Sequence, residues 1–239
     1  MSKKRKILVR VLTSLAMVAI VLPAYFIEDG SLLKWLFVSL TFLVIIEMIT
    51  MADGDDLVGR IDAAAWIGFV FCILAAADCY LIICQQIPRE LIGFAMAVTV
   101  TTDACAWGVG NLIGGKIYGK HPFPRISPNK TWEGTLGGIG FGMASVLLWS
   151  QVFNMANTSP GFALASFCVP VIATAGDLAE SALKRACHVK DSNDRISKFF
   201  KPFGVILGGR DGHGGYFDRM DSLIPALFVM IFAYIWTTH

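Results

Sequence analysis

Long apolar runs alternate with short polar intervals along this chain, and the runs have the length of membrane-crossing helices. About 20 mostly apolar residues are needed for a helix to cross a hydrocarbon core of about 30 Å. Windows of that kind fall at residues 7–27, 32–51, 62–85, 91–113, 134–157, 161–182 and 222–237. They predict seven transmembrane helices, with six to nine as the range. The Gly-rich run from Gly134 to Gly142 and the charged end of the sixth window blur the limits. No repeat, low-complexity tract or long linker divides the chain. The expected fold class is an all-α polytopic integral membrane protein with a cytoplasmic N-terminus and one domain over residues 1–239. Residues 1–90 supply N-terminal helices, and residues 91–239 supply helices together with the polar loops.

The start, from Met1 to Gly30, has the basic head and apolar body of a signal peptide. Its apolar run of about 20 residues exceeds the usual 7–15, and further spans follow, so a retained first helix is expected. Composition agrees with the pattern. Charged residues make up 16% of the chain, against about a quarter in soluble domains, and the mean hydropathy is +0.63. The net charge of +2 matters less than where the charges lie. Lys3, Lys4, Arg5 and Lys6 precede the first window; Lys116, Lys120, Arg125 and Lys130 separate the fourth and fifth; Lys184 to Arg219 separate the sixth and seventh. With seven spans all three basic segments share one face, which the positive-inside rule makes cytoplasmic. The opposite connections contain a single basic residue, Arg89. The six cysteines form no CxxC pair and lie mostly in apolar runs, so they read as packing residues.

Five acids stand inside the apolar windows: Glu47, Asp78, Asp103, Asp177 and Glu180. A charge at a lipid-facing helix centre costs about 2.5–3.5 kcal/mol, so each should face the bundle interior or a wet cavity. Glu47 lies near the acidic turn Asp53–Asp56 and is expected to reach water. Asp78 is either a structural acceptor or a site residue. Asp177 and Glu180 share a helix face with Ser181 and Lys184, at i, i+3, i+4 and i+7, and that face leads into the most polar stretch of the chain.

That stretch, Ser181 to Asp221, holds eight of the twenty basic residues with acids mixed among them. Asp218 and Asp221 are three apart at the head of the seventh window, so on a helix their carboxylates point the same way. Asp191 can join them if the loop folds back, and three such carboxylates suit a hard divalent cation. Gly212-His213-Gly214-Gly215 is a turn where backbone can approach a phosphate. His213 reads as a general base, a partner behind the site or a turn residue. Lys184, Arg185, Lys190 and Arg219 offset phosphate charge. The loop 114–134 contains Pro122, Pro124 and Pro128, which forbid a continuous helix. Its Ser127, Asn129, Lys130 and Thr131 offer donors to phosphate oxygens; contact with lipid headgroups is the alternative. Acids for a metal, bases for phosphates and a Gly-rich turn point to phosphoryl or nucleotidyl transfer.

These residues carry a family resemblance. Ser181-Ala-Leu-Lys184-Arg185, Lys190-Asp191, His213-Gly-Gly215 and Asp218-Arg219-Met-Asp221 resemble the signature of the CDP-diacylglycerol synthases. Ser127-Pro-Asn-Lys130-Thr-Trp-Glu133-Gly134, Asp103-Ala-Cys-Ala106 and Gly176-Asp177-Leu-Ala-Glu180-Ser181 are similar to further segments of that family. The similarity spans roughly residues 100–225. It implies conversion of CTP and phosphatidic acid to CDP-diacylglycerol and pyrophosphate at a cytoplasmic inner or plasma membrane surface. It also implies Mg2+, with a potassium ion beside it in some members. By matching positions, Asp191, Asp218 and Asp221 would be metal carboxylates, with Lys184, Arg185, Lys130 and Ser127 on phosphates. The expected partners are therefore CTP, phosphatidic acid and membrane lipids, with no nucleic acid; a homodimer is compatible with the sequence.

One departure stands out. From Asp191 to His213 is 22 residues, where the family needs only a few, and Asp211-Gly212 stands where it has Pro-Gly. The partly amphipathic insert reads as an interfacial cap or as a surface loop without a role in turnover. The rival activities are a CTP-using lipid kinase of the dolichol-kinase type, a CDP-alcohol phosphotransferase and a cation-coupled transporter. The transporter leaves the Lys/Arg/Asp cluster on one face unexplained, and no inverted repeat is visible.

Overall fold

The computed structural model describes residues 19–27, 31–52, 63–84, 87–119, 122–155, 158–189 and 215–238. All regular structure among them is helical. Residues 19–26 form a helical segment. The longer elements are α1 (Ser31–Ala52), α2 (Ala63–Cys84), α3 (Arg89–Ile113), α4 (Trp132–Val152) and α5 (Pro160–Ala186), followed by the short α6 (Phe217–Met220) and α7 (Leu223–Thr238).

Five described helices, α1 to α5, are long and apolar enough to cross a bilayer, against seven expected windows. α7 is apolar but has 16 residues, about 24 Å at 1.5 Å per residue, so it falls short of the core thickness by itself. The first window is described only from residue 19 onward. The sixth window ends at 182, yet α5 runs on to Ala186, because Lys184 and Arg185 are good helix formers and suit the negative end of the helix dipole. Pro160 sits in the first turn, where a missing N–H costs nothing, and Ser159 caps the helix by accepting from Phe162 N–H at 3.3 Å.

The most extensive packing is between α3 and α4, followed by α5 against α7. The α3–α4 seam follows from glycine at every fourth position of α4. A Cβ on Gly134 would stand 2.8 Å from the Ala106 carbonyl, one on Gly138 2.9 Å from the Thr102 carbonyl, and one on Gly142 would collide with Thr102. Small residues at this spacing let two backbones approach where lipid gives no hydrophobic drive. The Gly-rich run that blurred the fifth window is thus the contact face of its helix. α7 lies in the middle of the bundle, with Ile224, Leu227, Met230 and Ile231 fully buried. Large apolar side chains such as Trp66, Leu164 and Trp236 are exposed on the outer surface, as a lipid-facing surface requires.

Candidate active site

α5 brings the intramembrane acids to the polar end of the bundle, and the α6–α7 corner meets them there. Lys184 Nζ lies 2.6 Å from Glu180 Oε1 one turn back and 2.9 Å from Asp218 Oδ1. The other Asp218 oxygen accepts the Gly215 N–H at 2.8 Å. Gly176 allows the approach: a Cβ there would strike the Asp221 carbonyl and stand 2.8 Å from Pro225. From the loop before α4, Lys130 Nζ reaches Asp177 Oδ2 at 2.5 Å. Thr131 ends that loop by capping α4, its hydroxyl accepting the Gly134 N–H at 3.1 Å.

These groups surround one cavity of about 630 Å3. Of the residues expected from sequence, Asn129, Lys130, Thr131, Asp177, Asp218 and Asp221 line it, and Lys184 joins through Asp218. The structure adds Asp103, Trp107 and Asn111 from α3, Thr174 from α5 and Ser222. Asp103, Trp107 and Asn111 stand at i, i+4 and i+8, so polar residues at helical spacing in an apolar window were the signal available for them. Five carboxyl groups (Asp103, Asp177, Glu180, Asp218 and Asp221) gather with two ammonium groups, and of the five Glu180 and Asp221 are the buried ones.

Ligand oxygens of Asp177, Glu180 and Asp221 lie within 4.8 Å of one another. Of the expected Asp191, Asp218 and Asp221, the trio contains Asp221, Asp191 lies outside the described residues, and Asp218 is paired with Lys184 instead. Asp218 and Asp221 part because α6 ends at Met220 and the chain turns through Asp221 and Ser222. Asp218 is thereby turned to Lys184 and Asp221 to the α5 acids. Asp221 Oδ1 also accepts the Ser222 N–H at 2.7 Å. Burial pushes the Asp221 carboxyl well above the usual carboxylate range, and the charges of Asp177 and Asp103 push it the same way. Burial also acts to raise Asp218, but the Glu180 carboxyl bonded to it and the Lys184 ammonium outweigh that and hold it below its ordinary value.

Other expected residues stand off the cavity. Arg185 is exposed, and its Nε donates to the Ile126 carbonyl at 3.3 Å; one residue past Lys184 is about 100° round the helix, so it faces the loop. Ser127 supports the same loop by accepting the Lys130 N–H at 3.2 Å through its carbonyl. Ser181 and Arg219 are half-buried and do not line the cavity. Lys190, Asp191, His213, Gly214 and the insert lie outside the described residues.

Two buried glutamates have a different use. Glu133 accepts the N–H groups of Gly115 at 3.0 Å and of Ile117 and Tyr118 at 2.9 Å each, which folds the start of the 114–131 loop back on α4. Glu47, expected to reach water, is only 1% exposed and accepts the N–H groups of Tyr216 and Phe217. The packing of α6 against α1 removes it from solvent. Asp78 is fully buried away from the cavity, and neither carboxyl oxygen has a hydrogen-bond partner among the described residues.

The model of the cytidylyltransferase family matches residues 4–237. The chain belongs to that family. Among similar proteins, a Helicobacter pylori phosphatidate cytidylyltransferase is 43% identical over 132 residues, covering 54% of this chain and 41% of the relative. One from Mycobacterium leprae is 34% identical over 167 residues, covering 70% and 46%. One from Bacillus subtilis is 37% identical over 150 residues, covering 63% and 48%. The chain thus matches somewhat less than half the length of these curated relatives.

The donor set of this cytidylyltransferase-family site suits a hard divalent cation. All three ligands are carboxylates, and an octahedral magnesium ion with bonds of about 2.1 Å spans about 4.2 Å between opposite ligands. The observed spread of up to 4.8 Å needs little closure to meet that.

Proposed function

We propose that this chain transfers CMP from CTP to phosphatidic acid, giving CDP-diacylglycerol and pyrophosphate, with Mg2+. The observation that carries the reading is the meeting, at one cavity, of an acid cluster with phosphate-suited donors. Lys130, Asn129 and Thr131 come from one side, and Lys184 with Asp218 from the other. A volume of about 630 Å3 is the size of a small-ligand site. A nucleoside triphosphate carries several negative charges of its own, so entry to a cavity lined by carboxyl groups calls for accompanying cations. The names of the relatives from Helicobacter, Mycobacterium and Bacillus support this choice of substrates.

In this reading Asp221, Asp177 and Glu180 would hold Mg2+, and Asp218 stands beside them, oriented by Lys184 and the Gly215 N–H. The bound ion supplies Lewis-acid charge neutralisation at the phosphates. Lys130 is positioned to exchange its bond to Asp177 for a phosphate oxygen. Asn129 and Thr131 donate to further phosphate oxygens. A phosphate oxygen of phosphatidic acid forms the new bond to the α-phosphorus of CTP, and the bond to the β-phosphate oxygen breaks in line. Phosphate monoesters lose their second proton near pH 6, so the attacking oxygen needs no strong general base. Catalysis then rests on positioning and charge stabilisation. The polar end of α5 and the basic loops face the cytoplasm of a plasma membrane, as the Lys/Arg distribution directs.

The test is direct. Purified protein with CTP labelled in the α-phosphate, phosphatidic acid and Mg2+ should yield a labelled lipid and pyrophosphate in equal amounts. Release of CDP, with phosphate transferred from the γ-position, would instead identify a lipid kinase and reject the proposal.

A further inference from the structure

The region resembling the synthases begins near residue 100, yet one contact of the site comes from far earlier in the chain. Glu47, near the end of α1, directs one carboxylate oxygen at each of two consecutive backbone N–H groups: Oε1 accepts from Tyr216 at 3.0 Å and Oε2 from Phe217 at 2.8 Å. With Gly215 bonded to Asp218, three consecutive N–H groups end on carboxylates. We propose that Glu47 is a positioning residue: it fixes the backbone at residues 216–217 and thereby the placing of Asp218 and Asp221. The inference rests on the proposed role of those two aspartates.

The path from Glu47 to the acids is short. Asp218 follows Phe217 directly, and the Asp221 N–H bonds the Phe217 carbonyl at 3.0 Å. Phe217 itself is fully buried and packs edge-on against Phe71 of α2, with ring centroids 5.2 Å apart. The Phe217 N–H is buried with its residue and needs a protein acceptor, while the Tyr216 N–H beside it is part-buried. Two convergent donors need two acceptor oxygens and no competing donor, which among side chains only a carboxylate offers. A glutamine would keep one bond and set its NH2 against the other N–H. Burying a carboxylate is otherwise unfavourable, and here the two charge-assisted bonds offset it. Glu133 does the same for the opposite wall, holding Gly115, Ile117 and Tyr118. Each polar wall of the cavity is thus held by a glutamate buried in a helix. A displacement of 1 Å at reacting groups can cost about 100-fold in rate, which gives such a contact its leverage.

The experiment compares the full-length protein with Glu47→Gln, and with Glu47→Asp as a second variant that retains both oxygens one methylene short of the N–H groups. Two readouts are taken in detergent: amide hydrogen exchange over residues 215–221, and Mn2+ binding followed by electron paramagnetic resonance. In a folded variant, exchange at Tyr216 and Phe217 should speed by about tenfold or more. Exchange in α3 and α4 should not change, and the Mn2+ dissociation constant should rise by about tenfold. A merely structural glutamate would lower the melting temperature without altering Mn2+ affinity in the folded protein. Exchange at Tyr216 and Phe217 equal to wild type, or faster exchange with unchanged Mn2+ binding, overturns the inference. Failure of the proposed reaction would show separately, as a wild-type protein that makes no lipid product from CTP.

Discussion

Lys184 stands between two carboxyl groups, 2.6 Å from one and 2.9 Å from the other, with its side chain 16% exposed. Replacing it by Met removes the cation and leaves both acids buried, a change that costs about 3–5 kcal/mol at comparable sites. Chemical unfolding of K184M in detergent should show a loss of that order as well as loss of turnover. Asp221 gives a second prediction. Its carboxyl is raised in the folded protein, so the fold favours the protonated form; that contribution is full below the unfolded value near 3.8 and is lost as pH rises through the folded value. Asp218 is lowered and acts in the other window: its contribution is present above the unfolded value and lost as pH falls through the folded one. Without divalent ions, then, Asp221 should make the protein lose melting temperature as pH is raised from about 5 to 8. Added Mg2+ should raise the melting temperature more at pH 8 than at pH 5, because ion binding needs the ionised carboxyl. A ligand-free melting temperature that climbs steadily over this range would contradict the assignment. Asp221→Asn should abolish CMP transfer and lessen this dependence.

At the scale of elements, the site depends on how closely α3 and α4 approach. Gly138 has no room for a methyl group, whereas a Cβ on Gly140 would meet nothing within 4 Å. Gly138→Ala should therefore destabilise by about 1–3 kcal/mol, as overpacking does. It should also lower activity, since the seam sets α3, which carries Asp103 and Asn111, beside Thr131 at Gly110. Gly140→Ala, two residues away on the same helix, should be neutral in both assays. Gly176 repeats the logic between α5 and Asp221, where an added methyl would press on the carbonyl of the aspartate itself.

For the whole molecule, the arrangement implies a sidedness. Cys84, exposed as the last residue of α2, borders the connection expected to face outward, and Ser127 lies in a basic loop expected to face inward. In single-cysteine variants, an impermeant maleimide should label Cys84 in intact cells and should label S127C only after permeabilisation. The reverse pattern would invert the orientation.

The sequence by itself determined the class: apolar windows of bilayer length, basic residues on alternate connections, and acids that had to turn inward because lipid cannot solvate them. It also pointed to both polar loops, since Lys130, Asp177, Lys184, Asp218 and Asp221 carry their chemistry in their residue types and local spacing. Tertiary structure decided the pairings. Asp218 bonds Lys184 and Asp221 joins Asp177 and Glu180 because the chain turns after Met220, a bend that helical spacing alone does not reveal. Arg185 left the cavity through the rotation of one residue along α5. Glu47 lay furthest from view: nothing local marks a glutamate near an acidic turn as the acceptor for N–H groups about 170 residues away. Local pattern reports which groups must escape lipid, while only the packing of distant helices decides which partner each one meets.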